Sequence, residues 1–400
     1  MATNTIAEYR MTFSITCDPR VRLPLGRDTP AEVPEQYHRR MQELRRHIDA
    51  IAESHHLAAI GVAAVTAFVE TRQAIEERLE AGFDAGLTFT FTAPETSTDL
   101  RRSFPWAERL VVASRTYLPA AGAPRPGPDQ GVVARFAVDD PYAPLRAGLE
   151  EIGESLISAG HRAVVLADDN RLVDRAAAVR AGVGWAGKST MVLDPRHGPW
   201  IVLGSVVTDA KLPVDEPMIR TCGTCDACIP ACPTGAIVGP GVLDARRCLA
   251  AIAQSPGTIP TELRQAMGLR IYGCDDCLDA CPPGAQLLEI STDARGSVDL
   301  VELLGAADED VRLRFSHFYL PKNDPDVLRR NALVALGNQG DPGSVGAVSG
   351  YLTHPNPVLR AHAAWALGRI GGRRASAALR TALGRETARE VIDELIAASP

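Results

Sequence analysis

The chain has 400 residues, of which 46% are hydrophobic and 23% are charged, and its formal net charge at pH 7 is −7. This composition excludes a mostly disordered chain, and the charge excludes a uniformly basic nucleic-acid binder while leaving room for a local basic face. Nine cysteines are too few for a disulfide scaffold.

The first 45 residues are predicted to be an N-terminal extension, because Pro19, Pro24, Pro30 and Pro34 break any helix there. Cys17 within it has no partner motif, and we expect an incidental thiol. The N-terminus lacks a basic region followed by an apolar run, and no apolar stretch approaches the roughly 20 residues of a spanning helix. We therefore expect a cytoplasmic protein without a membrane segment.

Strands alternating with helices predict an α/β domain over residues 46–214. The apolar runs that read as strands are 59–65, 109–118, 163–167 and 199–208. Helical periodicity predicts helices at about 144–159 and 171–181, and the Pro/Gly-rich segment 119–131 predicts a loop.

Eight of the nine cysteines lie between residues 222 and 281. They form a C-x2-C-x2-C-x3-C-P run from Cys222 and a C-x2-C-x3-C-P run from Cys274, with Cys248 between them. The first run has the spacing of bacterial ferredoxins, in which the cysteine before proline ligates the other cluster. Residues 215–290 are therefore predicted to hold two 4Fe–4S clusters, with a zinc site as the alternative. The first predicted ligand set is Cys222, Cys225, Cys228 and Cys281, and the second is Cys232, Cys248, Cys274 and Cys277.

Residues 291–400 are predicted to be HEAT-like helical repeats. The segment 327–341 resembles the segment 358–372 at an offset of 31 residues, with Leu, Ala and Leu at helical spacing in both. Gly337 and Gly368 are placed where each helix is expected to stop. A shortened third helix is expected near 389–397.

Charge is uneven along the chain. Residues 312–400 carry 12 Lys and Arg against 7 Asp and Glu, a net charge of +5. The repeats could thus offer a basic surface to an anionic partner, or the arginines could simply be good residues for exposed helices.

Four segments together resemble the epoxyqueuosine reductases, cobalamin- and iron–sulfur-dependent enzymes of tRNA modification. They are RAAAVRAGVGWAGKSTMVLDPRHGPWIVLGSVVTD at 175–209, CGTCDACIPACPTGAI at 222–237, LDARRCL at 243–249 and IPTELRQAMGLRIYGCDDCLDACP at 259–282. The order of parts also agrees with that family: an α/β domain, a ferredoxin-like double-cluster segment and HEAT-like repeats.

The resemblance implies a cobalamin held between the α/β domain and the clusters, with Asp168 as proton donor and Arg175 beside it. It further implies cobalamin contacts from Asp168, Lys188, Val192, Gly204, Ser205 and Asp275. The alternative for Asp168 is a purely structural role, in which it caps a helix beginning near Arg171. For the glycines around Trp185 the alternative is ordinary strand–helix packing. The implied partners are tRNA, bound by the basic repeats, and an external electron donor; we expect a monomer.

Several segments depart from the family pattern, namely 140–144, 169–171, 248–251 and 281–284. These changes around the expected pocket keep two other functions open. One is a diverged cobalamin and iron–sulfur reductase, similar to a dehalogenase, that acts on another substrate. The other is a ferredoxin-type electron carrier with a helical-repeat interaction module.

Overall fold

Helix α1 (Glu35–Ser54) opens the described part of the computed structural model, which covers residues 35–118, 130–290 and 295–399. The chain divides into two units, residues 1–39 and 40–400. Of the first unit only residues 35–39 are described, so Cys17 and most of the predicted extension lie outside the described residues. Because α1 begins directly after Pro34, the predicted boundary at residue 45 falls inside a helix.

Residues 59–208 build a four-stranded sheet with helices on both faces, which confirms the α/β prediction. Its order is β1-β2-β7-β4, and every neighbouring pair is antiparallel. The elements are β1 (Ala59–Ala64), α2 (Val69–Glu80), α3 (Pro94–Ser97), β2 (Arg109–Thr116), β3 (Gly131–Val133), α4 (Tyr142–Ser158), β4 (Ala163–Leu166), α5 (Asp174–Arg180), β5 (Trp185–Ala186), β6 (Val192–Leu193) and β7 (Ile201–Thr208).

Strand β7 is central, and all eight of its residues are buried. Side chains alternate across a strand, so Leu203 and Val207 pack with α5 in one apolar cluster. On the other face a side chain at Gly204 would meet Leu149 of α4. The continuous apolar run in the sequence thus reflects burial on both faces.

The cysteine-rich segment has short elements joined by loops. They are α6 (Cys228–Ala231), β8 (Ile237–Gly239), β9 (Val242–Leu243), α7 (Leu249–Gln254), α8 (Thr261–Met267), β10 (Arg270–Tyr272), α9 (Asp276–Asp279) and α10 (Pro282–Ile290). Strand β10 pairs with β3, and β3 pairs with β11 (Gly296–Val298). One three-stranded sheet therefore takes a strand from each of the three domains predicted along the sequence, and all three belong to the same unit.

The C-terminal region is helical, as predicted. Its helices are α11 (Leu300–Gly305), α12 (Asp308–Arg314), α13 (Asp326–Gln339), α14 (Val345–Gly350), α15 (Pro357–Ile370), α16 (Gly372–Leu383) and α17 (Arg389–Ala398). The repeated Leu, Ala and Leu positions of α13 and α15 are all buried. None of the described helices is long and apolar enough to cross a membrane.

The prediction that α13 and α15 stop at Gly337 and Gly368 is wrong. Both helices continue to Gly340 and Gly371, whose φ values of 72° and 70° favour glycine. The two earlier glycines instead allow close helix packing. A Cβ atom at Gly337 would lie 2.6 Å from the Trp365 ring, and one at Gly368 would lie 2.8 Å from Ala398 Cβ.

Buried polar side chains on α13 and α15 bind the backbone of the cysteine-rich segment. Arg330 donates to the carbonyls of Ile252, Ser255 and Gly257 at 2.6–2.8 Å. His362 Nε2 accepts the Ile259 N–H at 3.2 Å. These bonds fix the position of the cysteine-rich segment against the helical repeats.

Candidate active site

Asp168 lies in the loop between β4 and α5, with a left-handed φ of 55°. Its carboxylate has no hydrogen-bond or ion-pair partner within the described residues. The residue is exposed, yet enough protein surrounds the carboxyl to raise its pKa by desolvation; the Arg146 charge lowers that pKa and Asp169 raises it. An unpaired carboxyl with a raised pKa is suited to donate a proton.

The alternative interpretation, in which Asp168 caps the next helix, is wrong. Helix α5 begins at Asp174, and its N-cap residue is Val173. It is Asp169 whose carboxylate accepts the Arg171 N–H at 2.9 Å and binds the Arg171 guanidinium. Asp169 therefore organises the loop and leaves Asp168 unengaged.

Polar groups from several elements surround the Asp168 loop. Burial raises the pKa of Tyr142, the first residue of α4, and the charges of Asp168 and Asp174 raise it further. Burial likewise raises the pKa of Asp174, whose Oδ1 is enclosed without a hydrogen-bond partner among the described residues. Arg175 is exposed and acts electrostatically on both groups. The site thus combines the carboxyls of Asp168 and Asp174, the phenol of Tyr142 and the guanidinium of Arg175.

Asp275 is engaged in a buried ion pair. Its Oδ2 accepts the backbone N–H of Arg135 at 3.0 Å and the Arg135 guanidinium at 2.9 Å. The same guanidinium reaches Asp279 at 2.7 Å and stacks over the Trp200 ring. The Asp275 carboxylate is therefore committed to holding the turn after β3 against the start of α9.

The other predicted cobalamin positions differ in accessibility. Lys188 donates to the Gly223 carbonyl at 2.8 Å, beside the first cysteine run. Val192 is buried in the apolar cluster under α5. Gly204 faces α4, and Ser205 is fully buried with no partner for its hydroxyl in the described structure. Contacts from Val192, Gly204 and Ser205 to a large cofactor would have to come from the backbone.

The glycine-rich turn around Trp185 is explained by chain packing. A Cβ atom at Gly182 would lie 2.5 Å from the Glu216 carbonyl oxygen. At Gly184 it would lie 2.5 Å from the Leu193 carbonyl oxygen, within the β5–β6 pair. These positions allow two backbones to approach closely.

The first predicted cysteine set comes together around Cys281. Burial raises the pKa of Cys281 to about 11, and the charges of Cys222, Cys228 and Cys225 add to the shift. Cys281 packs with Trp185 and Leu193 in an apolar cluster. The start of α10 and the first cysteine run are therefore neighbours, although more than 50 residues separate them in the sequence.

The second predicted set comes together around Cys277. Burial raises the pKa of this thiol, followed by the charges of Cys274, Cys248 and Cys232. Cys228 of the first set also acts on Cys277, so the two sets adjoin. All eight thiols are free of disulfides. Among the described residues no three His, Cys, Asp or Glu side chains converge as the ligands of a single metal ion would.

The Asp168 loop adjoins the second cysteine set. The Arg175 charge acts on Cys248. Tyr117 is partly exposed, yet the protein around its hydroxyl raises its pKa by desolvation, and the charges of Asp275, Tyr142 and Cys277 act on it. The carboxyl-bearing loop and the cluster ligands therefore face one region of the protein.

Sequence reasoning missed several of these residues. Tyr117, Arg135, Tyr142 and Arg146 are separated from Asp168 along the chain, and no spacing rule connects them to it. Asp174 carried one signal, because it precedes Arg175 in the segment that resembles the family.

Comparison with known families identifies two parts of the chain. The 4Fe-4S double cluster binding domain matches residues 221–284, and the HEAT repeats match residues 319–399. The cluster prediction for the cysteine segment and the HEAT prediction are thereby confirmed.

Comparison with characterised proteins covers most of the chain. It is 30% identical to the epoxyqueuosine reductase of Bacillus cereus over 369 residues, which are 88% of this chain and 96% of the relative. It is similar to an epoxyqueuosine reductase solved with an epoxyqueuosine-modified tRNA-Tyr stem loop. It is also similar to the Bacillus subtilis enzyme solved with its catalytic aspartate loop swung out of the active site. Both structures match with a TM-score of 0.82 and 28% identity, over 90% of this chain and 98% of theirs.

Proposed function

The chain belongs to the epoxyqueuosine reductase family, and from this premise we propose that it reduces epoxyqueuosine to queuosine in tRNA, with Asp168 as proton donor. Family membership supports the substrate. The observation that carries the chemistry is the Asp168 carboxyl, which has a raised pKa and no partner among the described residues; nearby Arg175 acts on Cys248 of the second cysteine set.

The proton requirement follows from the reaction. Converting an epoxide to an alkene takes up two electrons and two protons and releases the oxygen as water. The oxygen must be protonated as its bond to carbon breaks, or a poor leaving group results. Asp168 supplies that proton, and its exposed position lets it take up the next one from solvent. We propose that the positive charge of Arg175 stabilises the anionic form of the neighbouring carboxyls, since it lowers the pKa of Asp174.

We propose cobalamin as the group that binds beside Asp168, as the family resemblance implies. When bound, it supplies a reduced cobalt centre that delivers electrons to the substrate. The residues fit such a group on two counts: Asp168 and Lys188 present polar atoms, and Asp174 Oδ1 has unused hydrogen-bonding capacity within the described structure. Asp275 would contribute through its backbone, because its carboxylate is bound to Arg135.

We further propose the ligand sets of the two 4Fe–4S clusters. Cys222, Cys225, Cys228 and Cys281 hold one, and Cys232, Cys248, Cys274 and Cys277 hold the other. The electrostatic neighbours of Cys281 and Cys277 support this division. An external low-potential donor supplies the electrons.

The tRNA partner is supported by unpaired positive charge on the repeats. Arg369, Arg373, Arg374, Arg380 and Arg385 are exposed and have no acidic partner within the described residues. No acidic residue occurs in the sequence between 369 and 385. Such a stretch suits the phosphate backbone of RNA, which dominates nucleic-acid affinity. A tRNA substrate also agrees with the expected cytoplasmic location.

Turnover in vitro tests the proposal. The protein is reconstituted anaerobically with iron, sulfide and cobalamin, supplied with a low-potential chemical reductant, and given an anticodon stem loop that carries epoxyqueuosine. Mass analysis of the nucleosides follows the loss of one oxygen atom. Asp168→Asn should lower turnover about 100-fold or more, the contribution of a general acid, while Asp169→Asn should retain most of it. Equal turnover by wild type and Asp168→Asn would remove Asp168 from the mechanism.

A further inference from the structure

Arg270 lies on β10, four residues before the proposed cluster ligand Cys274, and its guanidinium bonds to three neighbouring residues. Its Nη2 binds both carboxylate oxygens of Asp276 at 2.6 Å. Its Nη1 donates to the carbonyls of Ala266 and Met267, at 3.2 Å and 3.1 Å, at the end of α8. Arg270, Cys274 and Asp276 line the same cavity. With 22% of its side chain exposed, it is largely shielded from solvent.

Arg270 and Asp276 act on Cys274 in opposite directions. Burial raises the pKa of Cys274 to about 12; the Arg270 charge opposes this shift, and the Asp276 charge adds to it more weakly. The ion pair with Asp276, two residues after Cys274, keeps the Arg270 guanidinium beside this cluster ligand.

We propose that Arg270 is a positioning residue that raises the reduction potential of the cluster bound by Cys274, and that Asp276 limits this effect. This inference rests on the proposed assignment of Cys274 as a cluster ligand.

The physical basis is the change in charge on reduction. Reduction adds one electron to a cluster that already carries the negative charge of its thiolates, so each nearby positive charge favours the reduced state. Hydrogen bonds to the ligating sulfurs act in the same direction. Arg270 supplies the positive charge beside Cys274. Because the Asp168 loop adjoins this set of thiols, the tuned cluster is the one beside the proposed cobalamin site.

Two substitutions with opposite expected signs test the proposal. Arg270→Gln removes the positive charge, and Asp276→Asn removes the negative charge while keeping the size of the side chain. Each full-length variant is reconstituted with iron and sulfide, titrated with dithionite and mediator dyes, and followed by electron paramagnetic resonance. One of the two midpoint potentials should become more negative in Arg270→Gln and more positive in Asp276→Asn. The other midpoint should not move, so each protein contains its own control.

Further variants separate tuning from structural damage. Arg270→Lys keeps the charge but loses the planar fork, and its shift should be smaller than that of Arg270→Gln. Arg312→Gln, which removes an exposed partner of Asp308, should move neither midpoint. The proposal is overturned if both midpoints move together, or if Arg270→Gln and Asp276→Asn shift a midpoint in the same direction or not at all. If Arg270→Gln does not assemble its clusters, the midpoint potentials of Asp276→Asn and Arg270→Lys test the proposal instead. The readout is a potential, so a failed inference leaves the turnover assay and the proposed function unaffected.

Discussion

Asp168 combines a left-handed backbone with a carboxylate that meets no partner in the described structure. Left-handed φ values are tolerated by aspartate better than by most residues, and they concentrate at functional sites. The family resemblance identified the position. The sequence could not show that Asp169 takes the local hydrogen bonds, since either neighbour could have made them.

The pH dependence of turnover follows from the groups around Asp168. The acid form donates the proton, so turnover should fall as pH rises through the raised pKa of Asp168. Asp169→Asn removes a charge that raises this pKa, and the descending limb should move to lower pH. Arg146→Gln removes a charge that lowers it, and the limb should move to higher pH. Rate profiles of the three proteins measure these shifts, and limbs that coincide would show that another group controls the descent.

The double-cluster segment was the part of the site that the sequence predicted most fully. Thiol spacing is a local property, so the number of clusters and the candidate ligands could be written from the motif alone. The groups that tune the site are non-local: Arg135 reaches Asp275 across 140 residues. Such pairs depend on how β3 and β10 pair, and no periodicity in the sequence specifies that.

At the scale of elements, the helical repeats show where periodicity is informative and where it is not. The 31-residue offset predicted α13 and α15, because apolar spacing fixes a helix and its buried face. It misplaced their ends, because a glycine can serve either to stop a helix or to allow a close neighbour. Only the neighbouring helix distinguishes the two uses.

Substitution of these glycines tests that distinction. Gly337→Ala would place a Cβ atom 2.6 Å from the Trp365 ring and 2.9 Å from Ala366 Cα. It should destabilise the protein by about 1–3 kcal/mol. Gly346 of α14 has open space around it, so Gly346→Ala should stabilise by up to about 1 kcal/mol through helix propensity. Melting temperatures measured anaerobically should fall for the first variant and not for the second; the reverse order would contradict the close-packing explanation.

His362 makes the contact between α15 and the cysteine-rich segment sensitive to acid. Its folded pKa is about 3, lowered from 6.5 by burial and by the charges of Arg264 and Arg330. Below pH 6.5, His362 therefore binds a proton in the unfolded chain but stays neutral in the folded protein. The free energy of unfolding falls as pH is lowered from 6.5 toward 3.

A glutamine at this position should weaken that dependence. His362→Gln can still accept the Ile259 N–H, and its melting temperature should fall less than that of wild type between pH 7.5 and about pH 5. His47→Gln, at an exposed position of α1, is the matched control and should follow wild type. An unchanged slope in His362→Gln would mean that other groups account for the loss.

At the scale of the whole molecule, the segments defined along the sequence are not separate in space. The sheet β10-β3-β11 joins all three predicted domains, and the buried side chains of α13 fix the cysteine-rich segment. Composition and motifs gave the order of parts correctly. Strand pairing over more than 130 residues could not be deduced, because β3 has only three residues and no distinctive pattern.

The uneven distribution of charge is also a property of the whole molecule. The net positive charge of the helical repeats predicts a salt-dependent association with tRNA. Arg373→Gln with Arg374→Gln should weaken binding of a tRNA stem loop. The plot of the logarithm of the binding constant against the logarithm of the salt concentration should also become shallower. Its slope should change by up to about 2, or close to 1 for each phosphate that is no longer neutralised. Arg389→Gln is the control, because Arg389 is paired with Asp393. Binding is measured by fluorescence anisotropy over a salt series; an unchanged slope in the double variant would show that RNA binds elsewhere.

The proposed function is tested most directly by the nucleoside content of tRNA in a bacterial strain whose own epoxyqueuosine reductase is deleted. Expression of this chain should convert the accumulated epoxyqueuosine to queuosine, and expression of Asp168→Asn should not. Persistence of epoxyqueuosine despite wild-type protein with its iron–sulfur clusters and cobalamin in place would contradict the proposed function.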